Sequence, residues 1–463
     1  MGISRLADIG ISALFTAQEA ISVTGHNIAN VNTPGYSRQQ VTLSENAPQD
    51  GSPGQIGTGV QATSIRRSFD SFIEGQLVSS GSQVGEFTAS SKAMAQLEPL
   101  FGDANNQGIG ASLNDFFSAL QDVATNPGDL SARTVLLSKA TTLAGQFNQS
   151  AGALTTGQQS IDFQIGQSIT SVNSLTSQIA GLNAQIAAAE SSGQQANDLR
   201  DERGVALTNL GAQVNISSIE DARGQVTVFT GNGQVLVDKE RTYKLVGVPD
   251  LSNNGLLDVR YDAGGGTTTS LAPVIQSGQL KGLLDVRDQT IPSLQGSLDA
   301  LASALVTQVN QQHQLGFGLD GSTSKNFFAP TGTTASTIAV SLTDVRQIAA
   351  SSTAGGVPGN SANALVLAGL NNTNVASLGN VTFQNYYSNI AGSFGSASQG
   401  AQNSLQAQQT LHDQLTSQRA SVSGVSMDEE LANLLQYQRS FEAASRMITT
   451  ADQLLQDILA IKQ

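Results

Sequence analysis

Residues 3–36 read ISRLADIGISALFTAQEAISVTGHNIANVNTPGY. Within them Ile3, Ala7, Gly10, Leu14, Ala17, Ile21, Thr24, Ile28 and Val31 recur with a strict 4,3,4,3 spacing. That spacing puts small or apolar side chains on one narrow stripe, the seam of a coiled coil rather than the wider face of a globular helix. The helix is expected to stop at Asn30, Asn32 and Thr33. Pro34-Gly35 suits the centre of a type II turn, with Tyr36 leading into an extended stretch to Leu43. Thr33, preceding a proline, is pushed out of the helical region.

The other end of the chain repeats the pattern. Leu434, Tyr437, Phe441, Ala444, Ile448, Ala451, Leu455 and Ile458 form a second seam. Ser426-Met-Asp-Glu429 offers a capping box at its start, and the acidic residues suit the positive end of a helix. Two terminal seams imply that the ends meet each other, or their counterparts in neighbouring subunits, with the middle looped out. With Gly10, Ala17 and Thr24 in the stripe, such helices have little to bury alone. They are expected to order fully only on assembly.

Between the ends, residues 46–60 look like a linker rich in Gly, Pro and Gln. Helices are expected over 65–100 and 111–147, with a break at Asn126-Pro127-Gly128. A third seam, Ile165 to Ile186, continues through Asn197-Asp-Leu-Arg-Asp-Glu-Arg203 to Leu210. From about 213 the pattern alternates, and Gly231-Asn-Gly233 and Asn254-Gly255 mark hairpin turns of a small antiparallel β region. Helix returns after Pro273 and from Pro292 to His313, and 316–357 reads as irregular or β-rich. Helix resumes near Ala362 and from 385 to 420. The fold expected is α+β: a terminal coiled-coil domain (1–45 and 421–463), a helical rod (46–212, 273–315 and 358–420) and a β-rich outer domain (213–272 and 316–357), with the N- and C-termini paired.

The 463 residues fit about three domains. The chain is acidic, 36 Asp+Glu against 22 Lys+Arg, and only 13% charged, which speaks against nucleic acid or an anionic membrane as partner. No cysteine is present, so disulfides, thiolate metal sites and cysteine nucleophiles are excluded. No apolar run reaches the length of a bilayer span, and the N-terminus has no cleavable-signal pattern.

The chemistry-bearing motifs are weak. Gly316-Phe-Gly-Leu-Asp-Gly321 matches a dinucleotide fingerprint but follows a helix rather than a strand, so a glycine-rich turn is the better reading. His26, His313 and His412 lie in separate helical regions without a second ligand at metal-type spacing. Asp258 with Asp262, and Asp201 with Glu202, lack an apolar cleft around them. No catalytic, cofactor-binding or metal-binding residue is assigned, and the chain is read as a non-enzyme.

Gly25-His-Asn-Ile-Ala-Asn-Val-Asn-Thr-Pro-Gly-Tyr-Ser-Arg38 resembles the N-terminal signature of bacterial flagellar axial proteins, and its Tyr-Ser-Arg ending resembles the hook-associated FlgK family. Asn197 to Arg203, Gly278 to Asp288, Val309 to His313, and Tyr437 to Arg446 resemble that family's central and C-terminal helices, so the likeness spans both ends and the middle. Gly204-Val205 is a weaker helical stretch than the family pattern, and the modest β inserts imply that an outermost extra domain found in longer relatives is reduced or missing.

The resemblance implies a structural subunit between hook and filament. It implies type III export without a cleaved signal and an extracellular place in the flagellum. Its partners would be itself, the hook protein, a second junction protein and an export chaperone at the C-terminal helix, with no nucleic acid, membrane or cofactor. The alternatives are a hook or rod protein, or a secreted enzyme anchored by coiled-coil termini.

Overall fold

A computed structural model describes residues 2–51, 54–101 and 108–461. The chain begins with helix α1 (Gly2–Ala29). The Thr33–Tyr36 turn follows: the Tyr36 amide donates to Thr33 O at 3.2 Å, and Gly35 takes φ +83°. A side chain at Gly35 would also strike Val205. Strands β1 (Gln39–Glu45) and β4 (Val60–Arg67) then pair antiparallel, with β2 (Gln49–Gly51) and β3 (Gly54–Ile56) paired beyond them. The stretch expected to be a linker is therefore mostly the outer part of a β-hairpin; its residues 52–53 lie outside the described residues. Glycine and proline content misled here, because Pro48 sits in the short break between β1 and β2, where no ladder bond is lost, and β1 and β4 lie on α1.

The rod is built on helices α2 (Ser71–Leu97), α3 (Ile109–Thr125) and α4 (Leu130–Glu190). Asp70 and Asp129 cap α2 and α4 by accepting from backbone N–H groups of their first turns. Helix α4 has 61 residues, about 90 Å at 1.5 Å per residue. It joins the expected 111–147 segment to the third seam without a break after Leu130. Its buried stripe runs through Leu136, Leu143, Phe147, Leu154, Ile161, Ile165, Val172, Ile179 and Ile186. Helix α5 (Asn197–Gln213) folds back along it, passing through Gly204-Val205 uninterrupted.

The inserted region forms two small antiparallel sheets. One is β5 (Ile216–Glu220), β6 (Val226–Thr230), β7 (Val235–Asp238) and β8 (Arg241–Thr242); the other is β9 (Lys244–Asp250), β10 (Leu256–Asp262) and β11 (Thr268–Ser270). Helix α6 (Gln279–Asp285) passes through a π-helical turn, Val286–Thr290, into α7 (Ile291–His313), with Pro292 in its first turn. Residues 316–357 carry isolated bridges but no named strand among the described residues. Helices α8 (Ala362–Gly369), α9 (Phe383–Ser423) and α10 (Met427–Ile461) complete the chain.

Buried asparagines pin the non-helical pieces to the helices. Asn173 bonds both N–H and C=O of Leu245, Asn183 both groups of Val226, and Asn310 both groups of Phe328. Each amide thus acts as a short strand edge and satisfies backbone groups that would otherwise be buried unpaired. These pins also separate the two pieces expected to share an outer domain. Residues 213–272 lie along the C-terminal half of α4, at Asn173 and Asn183. Residues 316–357 lie at its other end, where Arg133 donates to Val345 O and Ile348 O and Asn148 to Ala335 O. There Phe327 and Phe328 pack edge-on or tilted against Phe116, in a core that α3 and α7 also line. Irregular backbone is stable in this place because the helices supply its hydrogen bonds.

Candidate assembly interface

Helices α1 and α10 pair antiparallel in a single chain. Gly10 lies against Ala444 and Ile448; an added Cβ would stand 2.9 Å from Ile448 Cγ1. At the other end Asn27 Nδ2 donates to Glu430 Oε2 at 3.0 Å. The seam expected to await neighbouring subunits is thus already formed within one chain, because close backbone approach at small residues compensates for the sparse apolar side chains. Gly10, Ala17, Thr24, Ala444 and Ala451 are buried. Ile3, Ala7, Leu14, Ile21, Ile28, Val31, Leu434, Tyr437, Phe441 and Ile448 are half-buried.

Leu455 and Ile458 are the least covered residues of the seam, 42% and 52% exposed. The helices are antiparallel, so the positions from Gly10 back to Gly2 carry α10 forward only to about residue 455. Beyond it α10 meets no described residue of α1. Leu454, Leu459 and Ile461 are exposed there, as are Ile11, Phe15, Leu431 and Leu435 along the pair.

Besides the seam, a second face of α1 is buried. Thr16, Ala20, Val23 and Asn27 lie there, with Thr16 Oγ1 donating to Val60 O of the hairpin. By length and composition α1 also meets the measure of a membrane-crossing helix, against the expectation that no stretch does. In this fold α10 and the hairpin lie against it.

The turn after α1 is the base of a polar clasp. Asn30 accepts from Thr33 Oγ1 at 3.0 Å and donates to His26 O; Asn32 is exposed. Tyr36 donates its hydroxyl to Asn27 Oδ1 at 2.8 Å. Burial, with Asp198, Asp201 and Glu430 nearby, holds its phenol well above the usual range. Asn27 Oδ1 also accepts the Gln39 amide and its Nδ2 donates to Gln39 O, the same two-point pin seen along the rod.

Ser37 donates its backbone N–H and its hydroxyl to Asp201, at 2.7 and 2.9 Å, and Arg67 closes on the same carboxylate at 2.6 Å. Gln39 reaches Asp198 at 2.6 Å. Arg38 Nε donates to Glu430 and its Nη1 to Glu429, while its backbone N–H donates to Ser423 O at the end of α9. Arg419 of α9 pairs with Glu74 and donates to Gly35 O. Residues 36–39 therefore join the terminal pair, α5 and the α9–α10 bend. Asn27, Asp201, Arg67 and Arg419 were not singled out in the sequence for this role; Asn27 sits inside the quoted signature, and that was the available signal.

The remaining candidates take ordinary structural places. Gly318 and Gly321 close a tight turn, with the Gly318 amide on Ser322 O, and no helix follows to face a pyrophosphate. Asp258 bonds Ser270 Oγ. His26 stacks edge-on to Tyr36, and His313 is buried with both ring nitrogens engaged. Among the described residues no group of metal-type ligands occurs.

A chain whose ends close on each other, exposing apolar residues along the pair and holding a rod by a polar clasp, has the form of a filament subunit. The model of the flagellar hook-associated protein FlgK helical domain matches residues 94–328. The flagellar basal body rod model matches residues 8–36, and that of the C-terminal region of the flagellar basal body rod FlgEFG proteins matches 416–461. The chain belongs to the flagellar hook-associated FlgK family. It is similar to flagellar hook-associated protein 1 of Bacillus subtilis (29% identical, 96% of each chain covered). It is also similar to that of Salmonella typhimurium (26% identical, covering 99% of this chain and 100% of the relative). The structure of the flagellar hook junction protein FlgK from Burkholderia pseudomallei superposes with a TM-score of 0.68 at 21% identity, covering 75% of this chain and all of that one, a likeness of fold. The curated relatives are structural flagellar proteins.

Proposed function

We propose that this chain is the structural subunit that joins the hook to the filament of the bacterial flagellum. Its subunits assemble through the terminal pair of α1 and α10, by the apolar side chains that the pair leaves exposed. The observation that carries this is the terminal pair: two long helices closed on each other, with Phe15, Leu435, Leu459 and Ile461 still exposed. Each such side chain is worth about 1.5–3 kcal/mol once a neighbour buries it. Residues 1–45 and 421–463 then form the inner assembly domain and the helices between them the rod, with 213–272 projecting from its side. The neighbours are further copies, the hook protein and a second junction protein. Export runs by the flagellar type III route without a cleaved leader, with a chaperone covering the apolar face of α10 beforehand. No step in this role requires catalysis.

Deleting the gene is expected to leave intact hooks, no filaments and flagellin in the medium. The matches of rod-protein models at both ends favour one competing reading, a hook or rod protein, for which hooks would be missing instead. A Phe441→Asp or Leu14→Asp variant is expected to remain soluble as a monomer yet fail to restore filaments. Normal motility with either would reject assembly through the terminal pair.

A further inference from the structure

The seams of α1 and α10 are poor at choosing one register. Both repeat at a period of 3.5 residues, and small side chains recur in each: Ala7, Gly10 and Ala17 on one, Ala444 and Ala451 on the other. Sliding α10 by seven residues again sets small against large, with Gly10 opposite Leu455, Leu14 opposite Ala451 and Ala17 opposite Ile448. Apolar burial even favours one such slide, because Leu455 and Ile458, exposed in the observed register, would then face α1.

What distinguishes the observed register is polar. Glu430 is 2% exposed, and its carboxylate accepts from Asn27 Nδ2 at 3.0 Å and from Arg38 Nε at 2.7 Å. Asn27 is 1% exposed and is fully engaged by Glu430, Gln39 and Tyr36. A slide would leave a buried carboxylate away from both its donors and an amide short of an acceptor, the situation a low-dielectric seam penalises most. Arg38 stands at the same point, with its backbone on the end of α9 and its side chain on the first turn of α10.

We infer that Glu430, held by Asn27 and Arg38, is the register key of the terminal pair, and that it keeps the apolar last turns of α10 outside the pair within one subunit. The inference concerns a single chain in solution, so it stands or fails separately from the place of the protein in the flagellum. A competing source of register is the short link Gly424–Ser426 between α9 and α10.

The absence of native cysteine allows a direct test on the full-length monomer at low concentration. A Gly10→Cys/Ile448→Cys pair reports the observed register, since its Cβ atoms fall near disulfide distance. A Gly10→Cys/Leu455→Cys pair reports the slid one. With Glu430 intact, only the first pair is expected to oxidise. With Glu430→Ala the second disulfide is expected to rise about tenfold, and Glu430→Gln, which still accepts from Asn27, to restore most of the first. If Glu430→Ala costs α10 its helicity by circular dichroism, Glu430→Leu, which fills the space, carries the same comparison. An unchanged disulfide pattern in a folded Glu430→Ala or Glu430→Leu protein overturns the inference and assigns register to the link.

Discussion

Helices α4 and α10 are both long, but they are stabilised differently. Along α4 a buried apolar side chain recurs nearly every turn, from Leu136 to Ile186, because α3, α5, α6, α7 and the inserted sheets all lie against it. Along the 35 residues of α10 only Glu430, Ala444 and Ala451 are buried. The rod completes its own core, whereas the terminal pair relies on close approach at small residues and on the clasp, and leaves several larger apolar side chains exposed. A firm body and an end with exposed apolar side chains thus rest on different physics in one chain.

The sharpest way to break this contrast is in the rod. Phe147 is wholly buried on α4. Phe147→Ala is expected to lower unfolding stability by about 3–5 kcal/mol in urea titration. Phe441→Ala on the half-buried seam should move the same transition far less. Equal losses would mean that the terminal pair is as integral to the folded monomer as the rod core.

The difference between the regions also sets what the sequence could reveal. The terminal seams, the Pro34-Gly35 turn and the meeting of the ends were legible because periodicity and turn chemistry are local signals. The single span of α4 was harder to read: Gln158, Ser168 and Thr176 interrupt its apolar stripe yet are buried, and Gly157 is needed because Leu97 packs against it. The hairpin 39–67 was hidden by linker-like composition. The asparagine pins along the rod were not legible, and of the Asp201 clasp only the quoted segments that hold Asn27 and Asp201 gave a sign, since the partners are backbone groups or side chains far away in sequence. Asn183 and Asn310 look like any surface amide until the strand or loop that they hold is placed. For the same reason the position of 316–357, set by Arg133, Asn148 and Asn310, could not be inferred from its own residues.

A smaller effect is expected at the far end of the rod, where His313 is buried. Its Nδ1 lies 2.7 Å from Lys325 O and its Nε2 accepts the Ala349 amide at 3.0 Å. Burial holds this imidazole below its ordinary range and the nearby Arg133 charge adds to that, while the Lys325 carbonyl works the other way. The unfolded chain therefore takes up a proton near pH 6.5 that the folded chain refuses. Stability is complete above that pH and falls as pH drops below it, by at most about 1.4 kcal/mol per pH unit. Between pH 7.5 and 5.5, His313→Gln is expected to flatten this dependence of the urea midpoint. An unaltered slope would show that His313 accepts its proton without disturbing the 316–357 segment.

The smallest effect on the monomer is expected where the largest effect on assembly lies. Leu459 is 65% exposed on the part of α10 that extends past α1. Leu459→Ser removes little that the single chain buries, so its unfolding transition should stay within about 0.5 kcal/mol of the parent. In the polymer the same side chain would lie against a neighbour, and each copy would lose part of about 1.5–3 kcal/mol at that contact. Because the loss recurs at every subunit, a substitution invisible in monomer stability should still lower the yield of filaments in a complemented deletion strain. If filament yield is unchanged, the extension past α1 faces solvent in the assembled state, and the adhesive surface must be sought along the pair itself, at Phe15 and Leu435.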